Sequence, residues 1–409
     1  MTTLSANILF NNSGSSDTAA SGVGPATAVS GTGASTNNTT TVDLTADTPD
    51  LSGVSAGDLM WVGSSSLRQF SVIASVNDGA DTLVTDDIFT LTEGSLNWGI
   101  GGKRNSLQTS INLLNDDIKA DWTVEFESGY TDTISTAISI DISGGSASGI
   151  NIIGTDGAAT RPVLTYSSSG TFITYSNQNG WRWAGLDFEN TNGSPGACFT
   201  STDSVPTTFN QTIEDCRCIS ATNEFSSFIS SGGNAKWFIS HSEIANTSGD
   251  GIFASDSSAF VLLDYCTVRD SGSNGVNVGS VALTCRNSII SNNAGSGLRG
   301  TALIEDCSGN IIYNNSGDGI VGGVIHSMQN NIIVSNTGAA INTSARTHLT
   351  DYNAYYNNGS EVADQGAGPN DITLTADPFE NAALGDFNIN AVAGGGAVLR
   401  GTKIILPSS

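Results

Sequence analysis

The chain is poor in basic residues. Its 409 residues include 14 lysines and arginines against 39 acidic residues, which gives a formal net charge of −25. Proteins that bind nucleic acids or anionic membranes need a positive surface that neutralises phosphates. The composition therefore argues against a nucleic-acid or anionic-membrane surface and disfavours polyanionic substrates. A neutral glycan, a cation-bridged ligand or a protein partner stays open.

Histidine and long apolar runs are also scarce. There are three histidines, and Cys216 and Cys218 alternate along a strand rather than being spaced as ligands, so the sequence predicts no zinc site. No apolar run is long enough for a membrane span, and the first residues lack the basic start and apolar stretch of a secretion signal. We therefore expect no membrane span, and release by lysis or a dedicated secretion system if the protein acts outside a cell.

What the sequence does contain is a repeat with two apolar positions eight residues apart. The pairs are Ile244/Ile252, Val268/Val276, Ile290/Leu298, Ile312/Ile320 and Ile333/Ile341. A third apolar column lies five residues before each pair, at Ile239, Leu263, Cys285, Cys307 and Met328, with Leu349 expected next. Periods of twenty-odd residues are typical of solenoids, in which each unit buries its apolar face against the next.

The turn residues identify the kind of solenoid. The units are rich in glycine, asparagine and serine, and too short for helical repeats, which need about 33 residues or more. Asparagines and aspartates that tolerate left-handed backbone follow the apolar columns, and stacked asparagines can form amide ladders. These positions are Asn246, Asp270, Asn292, Asn293, Asn314, Asn315, Asn336 and Asn357. The sequence therefore predicts an all-β fold, a parallel β-helix with coils of about 22 residues.

The repeat also predicts the domain boundaries. Residues 1–104 do not follow it and are expected to form a small β domain. Residues 105–376 are expected to form a short capping helix over 106–118 and then the β-helix, and residues 377–409 a C-terminal cap. Cys285 and Cys307 fall in one core column on successive coils, which leaves both a disulfide and two ordinary buried thiols open.

Three segments of the chain resemble the right-handed parallel β-helix proteins, a group that includes pectate lyases, polysaccharide hydrolases and phage tailspikes. The segments are residues 105–130, residues 181–190 (WRWAGLDFEN), and residues 351–358 with Asp377-Pro378-Phe379 and Gly385-Asp386-Phe387. The resemblance covers roughly residues 100–405 and concerns the fold. A separate β domain ahead of the solenoid is similar to the organisation of phage virion proteins, which implies a virion-surface location, or alternatively an extracellular one.

One constellation of residues could be catalytic. Alignment of the coils puts Glu214, Ser240, Asp264 and Arg286 in one outward column and Asp215, His241, Tyr265 and Asn287 in the next. Glu214 and Asp264 are two coils apart, about 9.6 Å between backbones, at the wide edge of the roughly 6.5 to 9.5 Å found in inverting glycosidases. The alternative is a solvated polar ladder in which Arg286 pairs with Asp264.

Two further site hypotheses stay open beside this one. No cofactor is expected, but a lyase-like calcium site would use acids beside an arginine, and Asp264, Asp270, Arg269 and Arg286 could be arranged in that way. Sugars stack on exposed aromatic rings, and the candidates for such binding are Trp181, Trp183, Trp237 and Tyr265. Tyrosine and tryptophan also bury well, so some of these rings are expected in the core.

Three functions follow from these observations. The first is a structural and recognition protein of a virus particle, a fibre, spike or decorating subunit that contacts other virion proteins through residues 1–104 and binds a cell-surface glycan. Such a subunit is expected to form homo-oligomers, with a trimer favoured. The second is a polysaccharide-degrading enzyme that uses Glu214, Asp215, His241 and Asp264. The third is an adhesin exported by a non-classical route.

Overall fold

The computed structural model describes residues 7–15, 25, 28–63, 69–91, 95–101, 107, 123–140, 151–154, 160–175, 180–193, 196–201, 209–219, 225–231, 235–255, 260–345, 349–363 and 368–400. The chain forms two compact units. The first comprises Met1–Thr165 with Gln178–Asp187, and the second comprises Tyr166–Asn177 with Phe188–Ser409.

The first unit contains a closed barrel of six antiparallel strands. Its strands are Val29–Thr36, Thr41–Asp43, Leu59–Val62, Gln69–Asn77, Thr82–Thr85 and Leu96–Ile100. Apolar side chains such as Val42, Met60, Leu83 and Trp98 are buried at its centre. The Trp98 indole N–H donates to the Asp47 carboxylate at 2.7 Å. The predicted small N-terminal β domain thus has its own core.

The first unit also contains parallel β-strands. They include Asn7–Ser15, Thr123–Phe126, Thr131–Ile134, Ile138–Ile140, Asn151–Gly154 and Trp181–Ala184. Asn7–Ser15 pairs in parallel with Thr123–Phe126. The barrel strands therefore begin at Val29, and the strand before them belongs to a parallel sheet, although the prediction assigned residues 1–104 to the small domain.

The predicted capping helix over residues 106–118 lies outside the described residues except for Leu107. Leu107 has helical backbone and is buried. Its amide N–H donates to the Asp132 carboxylate at 2.7 Å.

The second unit is a parallel β-solenoid in which each coil adds one strand to each of three ladders, named here in chain order within a coil. The first ladder contains Phe209–Glu214, Ala235–Ser240, Phe260–Asp264, Ala282–Arg286, the second halves of Leu298–Ser308 and Ile320–Gln329, and Leu349–Asp351. The second ladder contains Arg217–Ile219, Glu243–Ala245, Thr267–Arg269, Ile289–Ser291, Ile311–Tyr313, Ile332–Val334, Ala354–Tyr356 and Ile372–Thr373. The third contains Ile173–Tyr175, Ala197–Ser201, Ser227–Ser231, Ile252–Ala254, Val276–Val278, the first halves of Leu298–Ser308 and Ile320–Gln329, Ala339–Thr343 and Ser360–Ala363.

The strand registers confirm the apolar columns. Ile244 pairs with Val268 in the second ladder, and Ile252 pairs with Val276 in the third. Cys285 pairs with Cys307 in the first ladder. These side chains are buried inside the solenoid because residues that share a column point to the same face of a parallel sheet.

The first column ends differently from the prediction. Thr350, not Leu349, pairs with Met328, and Leu349 pairs with Ser327. Leu349 is 48% exposed. The expectation that Leu349 continues the core column is therefore wrong by one residue, and a shift of one residue moves a side chain to the opposite face.

Asparagines hold the corners between ladders, as predicted. Left-handed backbone occurs at Asn246, Asp270, Asn292, Asn314, Ser335 and Asn357, where the second ladder ends. Beside this corner, Asn293, Asn315, Asn336 and Asn358 form a buried amide ladder in which each side-chain N–H donates to the next side-chain oxygen at 2.8 to 2.9 Å. A second amide ladder, of Asn310, Asn331 and Asn353, precedes the second-ladder strands. The side-chain amides of these two ladders are therefore paired from coil to coil.

The C-terminal segment packs along the outer face of the second ladder. It consists of a hairpin, Phe379–Asn381 with Asp386–Ile389, a one-turn 3-10 helix, Ala382–Leu384, and a short helix, Gly396–Leu399. Phe379, Ala382 and Leu399 form one buried cluster with second-ladder side chains, including Ile311, Ile332 and Val334. This segment therefore covers part of one side of the solenoid.

The six cysteines are all free and buried, so Cys285 and Cys307 are not bonded in this structure. Among the described residues, no helix is long and apolar enough to cross a membrane.

Candidate functional site

The strand registers place Glu214 and Asp264 in one column, as the alignment of the coils predicts. Glu214 pairs with Ser240, Ser240 with Asp264, and Asp264 with Arg286. These side chains lie at the end of first-ladder strands and point away from the core. Glu214 and Asp264 are therefore two coils apart in one outward column.

The neighbouring column has a backbone role that continues far beyond the predicted site. Left-handed backbone occurs at Asp215, His241, Tyr265, Asn287, Gly309, Asn330 and Tyr352. In the first six of these residues, the amide N–H donates to a carbonyl one coil further on, as from His241 to Asp264 at 3.1 Å and from Tyr265 to Arg286 at 3.2 Å. We call this row of residues the first corner. Asp215 and His241 thus occupy a repeated structural position.

The partners of the acids differ from those expected. The Asn287 side-chain N–H donates to Asp264 at 3.0 Å. Arg286 forms its ion pair with Asp306 at 2.7 Å on the next coil. Arg286 and Asp264 are cross-strand neighbours, but the expected ion pair between them is wrong, because the guanidinium reaches Asp306 on the following coil and the Asn287 amide lies beside Asp264.

Three of the four aromatic residues proposed to bind sugar lie in the core. Trp181, Trp183 and Trp237 are at most 1% exposed, so their rings cannot stack on a surface ligand. Their place in the core fits the tendency of large aromatic side chains to bury. Tyr265 is 39% exposed and stacks on the exposed His241 ring, with 5.2 Å between ring centroids and an interplanar angle of 10°. The first corner therefore presents one aromatic pair to the surface.

A groove that the sequence did not predict lies between the second ladder and the C-terminal hairpin. It has a volume of about 540 Å³, and its walls include Glu243, Arg269 and Asp270 on the solenoid side and Leu384 and Phe387 on the hairpin side. Pockets of about 300 to 1,000 Å³ hold small ligands. Glu243 follows His241 by two residues, so this groove begins just past the first corner.

The sequence contains a signal for this groove. The outward residues of the second ladder are polar in earlier strands, as at Glu243 and Arg269, and apolar in Ile311–Tyr313 and Ile332–Val334. Consecutive apolar residues in a strand indicate burial on both faces. The groove lies where the polar part of this face meets the part that the hairpin covers.

The polar side of the groove is an ion-paired cluster. Arg269 donates to Glu243 from Nε at 3.1 Å and from Nη2 at 2.8 Å, and Nη1 bonds Asp270. Burial lowers the pKa of Arg269, but hydrogen bonds and charges from Glu243 and Asp270 outweigh that effect and raise the pKa. The guanidinium is therefore charged and held in one orientation between two carboxylates.

The four residues proposed for a calcium site do not converge. Asp264 lies at the end of the first ladder, whereas Arg269 and Asp270 lie at the end of the second and Arg286 pairs with Asp306. Among the described residues, no group of three or more histidine, cysteine or acidic side chains could hold a metal ion. No residue set in this part of the chain points to a cofactor.

The geometry agrees with the family to which part of the sequence is matched. Residues 227–383 match the family model described as right-handed beta helix region. The matched residues lie in the part of the chain that forms the three parallel ladders, and this part has the right-handed parallel β-helix fold. No curated protein matches the sequence.

Solved structures of this class are similar to the chain at low identity. The pectate lyase Pel9A has a TM-score of 0.46 and 13% identity, over 68% of this chain and 82% of that protein. The catalytic domain of a GH87 alpha-1,3-glucanase in complex with nigerose has a TM-score of 0.32 and 11% identity, over 86% and 88%. The tailspike gp49 from Pseudomonas phage LKA1 has a TM-score of 0.22 and 10% identity, over 88% and 65%. These likenesses assign no function to this chain.

Proposed function

We propose that this protein is a surface subunit of a virus particle whose β-helix recognises a cell-surface glycan. The observation that carries the proposal is the first corner, where Asp215 and His241 occupy a repeated left-handed position. Glycine, asparagine and tyrosine occupy the same position in other coils, so its common feature is the left-handed backbone and not one kind of side chain. Asp215 and His241 therefore have a structural role at this position, which favours recognition over catalysis.

The glycan contact in this proposal is the aromatic pair of the first corner. The Tyr265 ring is partly exposed and is held by the stacked His241 ring. Asp264 and Asn287 flank it with polar atoms that are already oriented by a mutual hydrogen bond. A ring fixed between polar groups can accept the apolar face of a sugar without losing much side-chain entropy.

Attachment to other virion proteins is assigned to the N-terminal barrel. The barrel has its own closed sheet and buried core, which suits a part that binds a different partner from the solenoid. The long parallel faces of the solenoid suit side-by-side association of copies, and closed symmetry is usual in homo-oligomers. We therefore propose a homo-oligomer on the virion surface, with a trimer favoured.

Mass spectrometry of purified virus particles from the source community tests the virion role. We expect peptides of this chain at an abundance comparable to that of other structural proteins of the particle. Peptides found in culture surface fractions and absent from particles would contradict the proposal and favour an exported adhesin. Peptides found free in lysate or medium, and absent from particles, would favour an enzyme.

A glycan array probed with the purified full chain tests the recognition site. Tyr265→Asn removes the ring and keeps a residue that tolerates the left-handed corner. For each glycan that the unchanged chain binds, Tyr265→Asn should lower the affinity at least about tenfold, which corresponds to about 1.4 kcal/mol. Tyr352→Asn is the matched control, because Tyr352 has the same left-handed backbone elsewhere in the first corner. Equal losses in both variants would overturn the assignment of Tyr265.

The second candidate function, polysaccharide cleavage, is favoured by one observation. Glu214 and Asp264 share an outward column with one strand between them. Asp264→Asn should then abolish release of reducing ends from a susceptible polysaccharide without a change in melting temperature. Asp318→Asn is the control, because the Asp318 carboxylate likewise accepts an asparagine side-chain N–H, at 2.9 Å. Turnover that survives Asp264→Asn would exclude this mechanism.

A further inference from the structure

We propose that the groove between the second ladder and the C-terminal hairpin binds a neutral sugar unit. This site is distinct from the aromatic pair at the first corner, and it does not depend on the virion role. Its volume of about 540 Å³ is within the range of small-ligand pockets. The two sides of the groove have different chemistry, and both belong to the second compact unit.

The solenoid side offers fixed hydrogen-bonding groups. Arg269 is bound by both Glu243 and Asp270, and the Asp270 N–H donates to the Ser291 carbonyl at 3.2 Å. Within the described residues, Glu243 Oε2 and Asp270 Oδ1 accept no hydrogen bond. Carboxylate oxygens held in this way can accept the hydroxyl protons of a sugar, and little ordering is required when the ligand binds.

The charge of this cluster selects against anions. Two carboxylates around one guanidinium leave one net negative charge on the groove floor, and the chain as a whole carries −25. A uronic acid or a phosphate would be repelled there, whereas a neutral hexose would not. Charge complementarity therefore favours a neutral ligand over an acidic one.

The hairpin side supplies an apolar surface that is anchored from behind. Leu384 is 82% exposed at the rim. The Phe387 ring packs edge-on against Tyr313 at 5.5 Å and against Phe379 at 5.2 Å between centroids. The C–H face of a sugar ring can lie on this surface while its hydroxyls reach the carboxylates. An apolar wall opposite oriented polar groups is the usual composition of a small-ligand site.

The test uses the full chain and methyl glycosides of glucose, mannose and galactose, with methyl galacturonoside as the charged counterpart. Saturation-transfer NMR and calorimetry should find a neutral hexoside bound with Kd of about 1 mM or lower and weaker binding of the galacturonoside. Leu384→Ser should weaken hexoside binding at least about fivefold, because it removes apolar contact. Val392→Ser is the matched control, since Val392 is also exposed, at 49%, in the C-terminal segment but does not line the groove.

A double variant tests the charge argument separately. Glu243→Gln with Asp270→Asn changes the net charge of the cluster around Arg269 from −1 to +1. The ligand preference of the groove should then move from the neutral hexoside toward the galacturonoside. Three outcomes would overturn the inference: no hexoside binds, Leu384→Ser and Val392→Ser lose affinity equally, or Leu384→Ser changes the oligomeric mass in sedimentation. The last outcome would identify the groove as a contact between copies. Particle mass spectrometry decides the virion proposal independently of all three.

Discussion

At the scale of single residues, the buried asparagines of the amide ladders should contribute to stability, because each one makes several hydrogen bonds inside the solenoid. Asn315 accepts the backbone and side-chain N–H groups of Asn293 at 3.1 and 2.8 Å, and donates to Asn336 and to the Ile290 carbonyl. Asn315→Ala leaves these buried groups unpaired. The free energy of unfolding should fall by about 3 kcal/mol, measured by urea denaturation.

The control for this prediction is an asparagine outside the amide ladders. Asn388 is exposed in the C-terminal hairpin, so Asn388→Ala should change the free energy of unfolding by less than about 0.5 kcal/mol. Similar losses in both variants would show that the amide ladder contributes little.

The cysteine thiols supply a prediction with a defined pH dependence. Burial raises the pKa of Cys307 from its ordinary value of 9.0 to about 12, and burial likewise raises that of Cys266 to about 12. In the unfolded chain these thiols ionise near pH 9, whereas in the folded chain they stay protonated to higher pH. Their contribution to the free energy of unfolding is therefore fully present below pH 9 and is lost as the pH rises from 9 through 12. Native protein at about pH 8 should resist iodoacetamide, and all six thiols should react in urea. Rapid alkylation of the folded protein, read by mass spectrometry, would contradict this.

At the scale of elements, the C-terminal hairpin matters because it covers an apolar stretch of the second ladder. Phe379 is 3% exposed and packs with Ile311, Ile332 and Val334. Phe379→Ala should lower the free energy of unfolding by about 3 kcal/mol and increase binding of an apolar dye. Val392→Ala, at an exposed site of the same segment, should do neither. A Phe379→Ala chain as stable as its parent would mean that the hairpin is held elsewhere.

The elements also show how far the sequence could predict the structure. Periodic features were predicted, because apolar columns such as that of Ile244 and Val268 follow from the stacking itself. Features that depend on a single coil could not be predicted from the repeat. Leu349 lies one residue away from the core column, and Arg286 forms its ion pair with Asp306. The groove required knowledge of where the hairpin lies. The packing of the hairpin is not periodic, so the repeat does not predict its position. The consecutive isoleucines at 311–312 and 332–333 are the sequence feature that indicates it.

At the scale of the whole molecule, the net charge of −25 determines which glycans can approach. Like-charge repulsion acts on the encounter and is screened as salt shortens the Debye length, from about 10 Å at 0.1 M to 3 Å at 1 M. Binding of a neutral glycan should therefore be nearly independent of salt. Residual binding of polygalacturonate should strengthen as salt rises, measured by calorimetry in sodium chloride. If polygalacturonate instead binds tightly at low salt and is released by high salt, a basic surface must dominate recognition, and the preference for neutral glycans would be wrong.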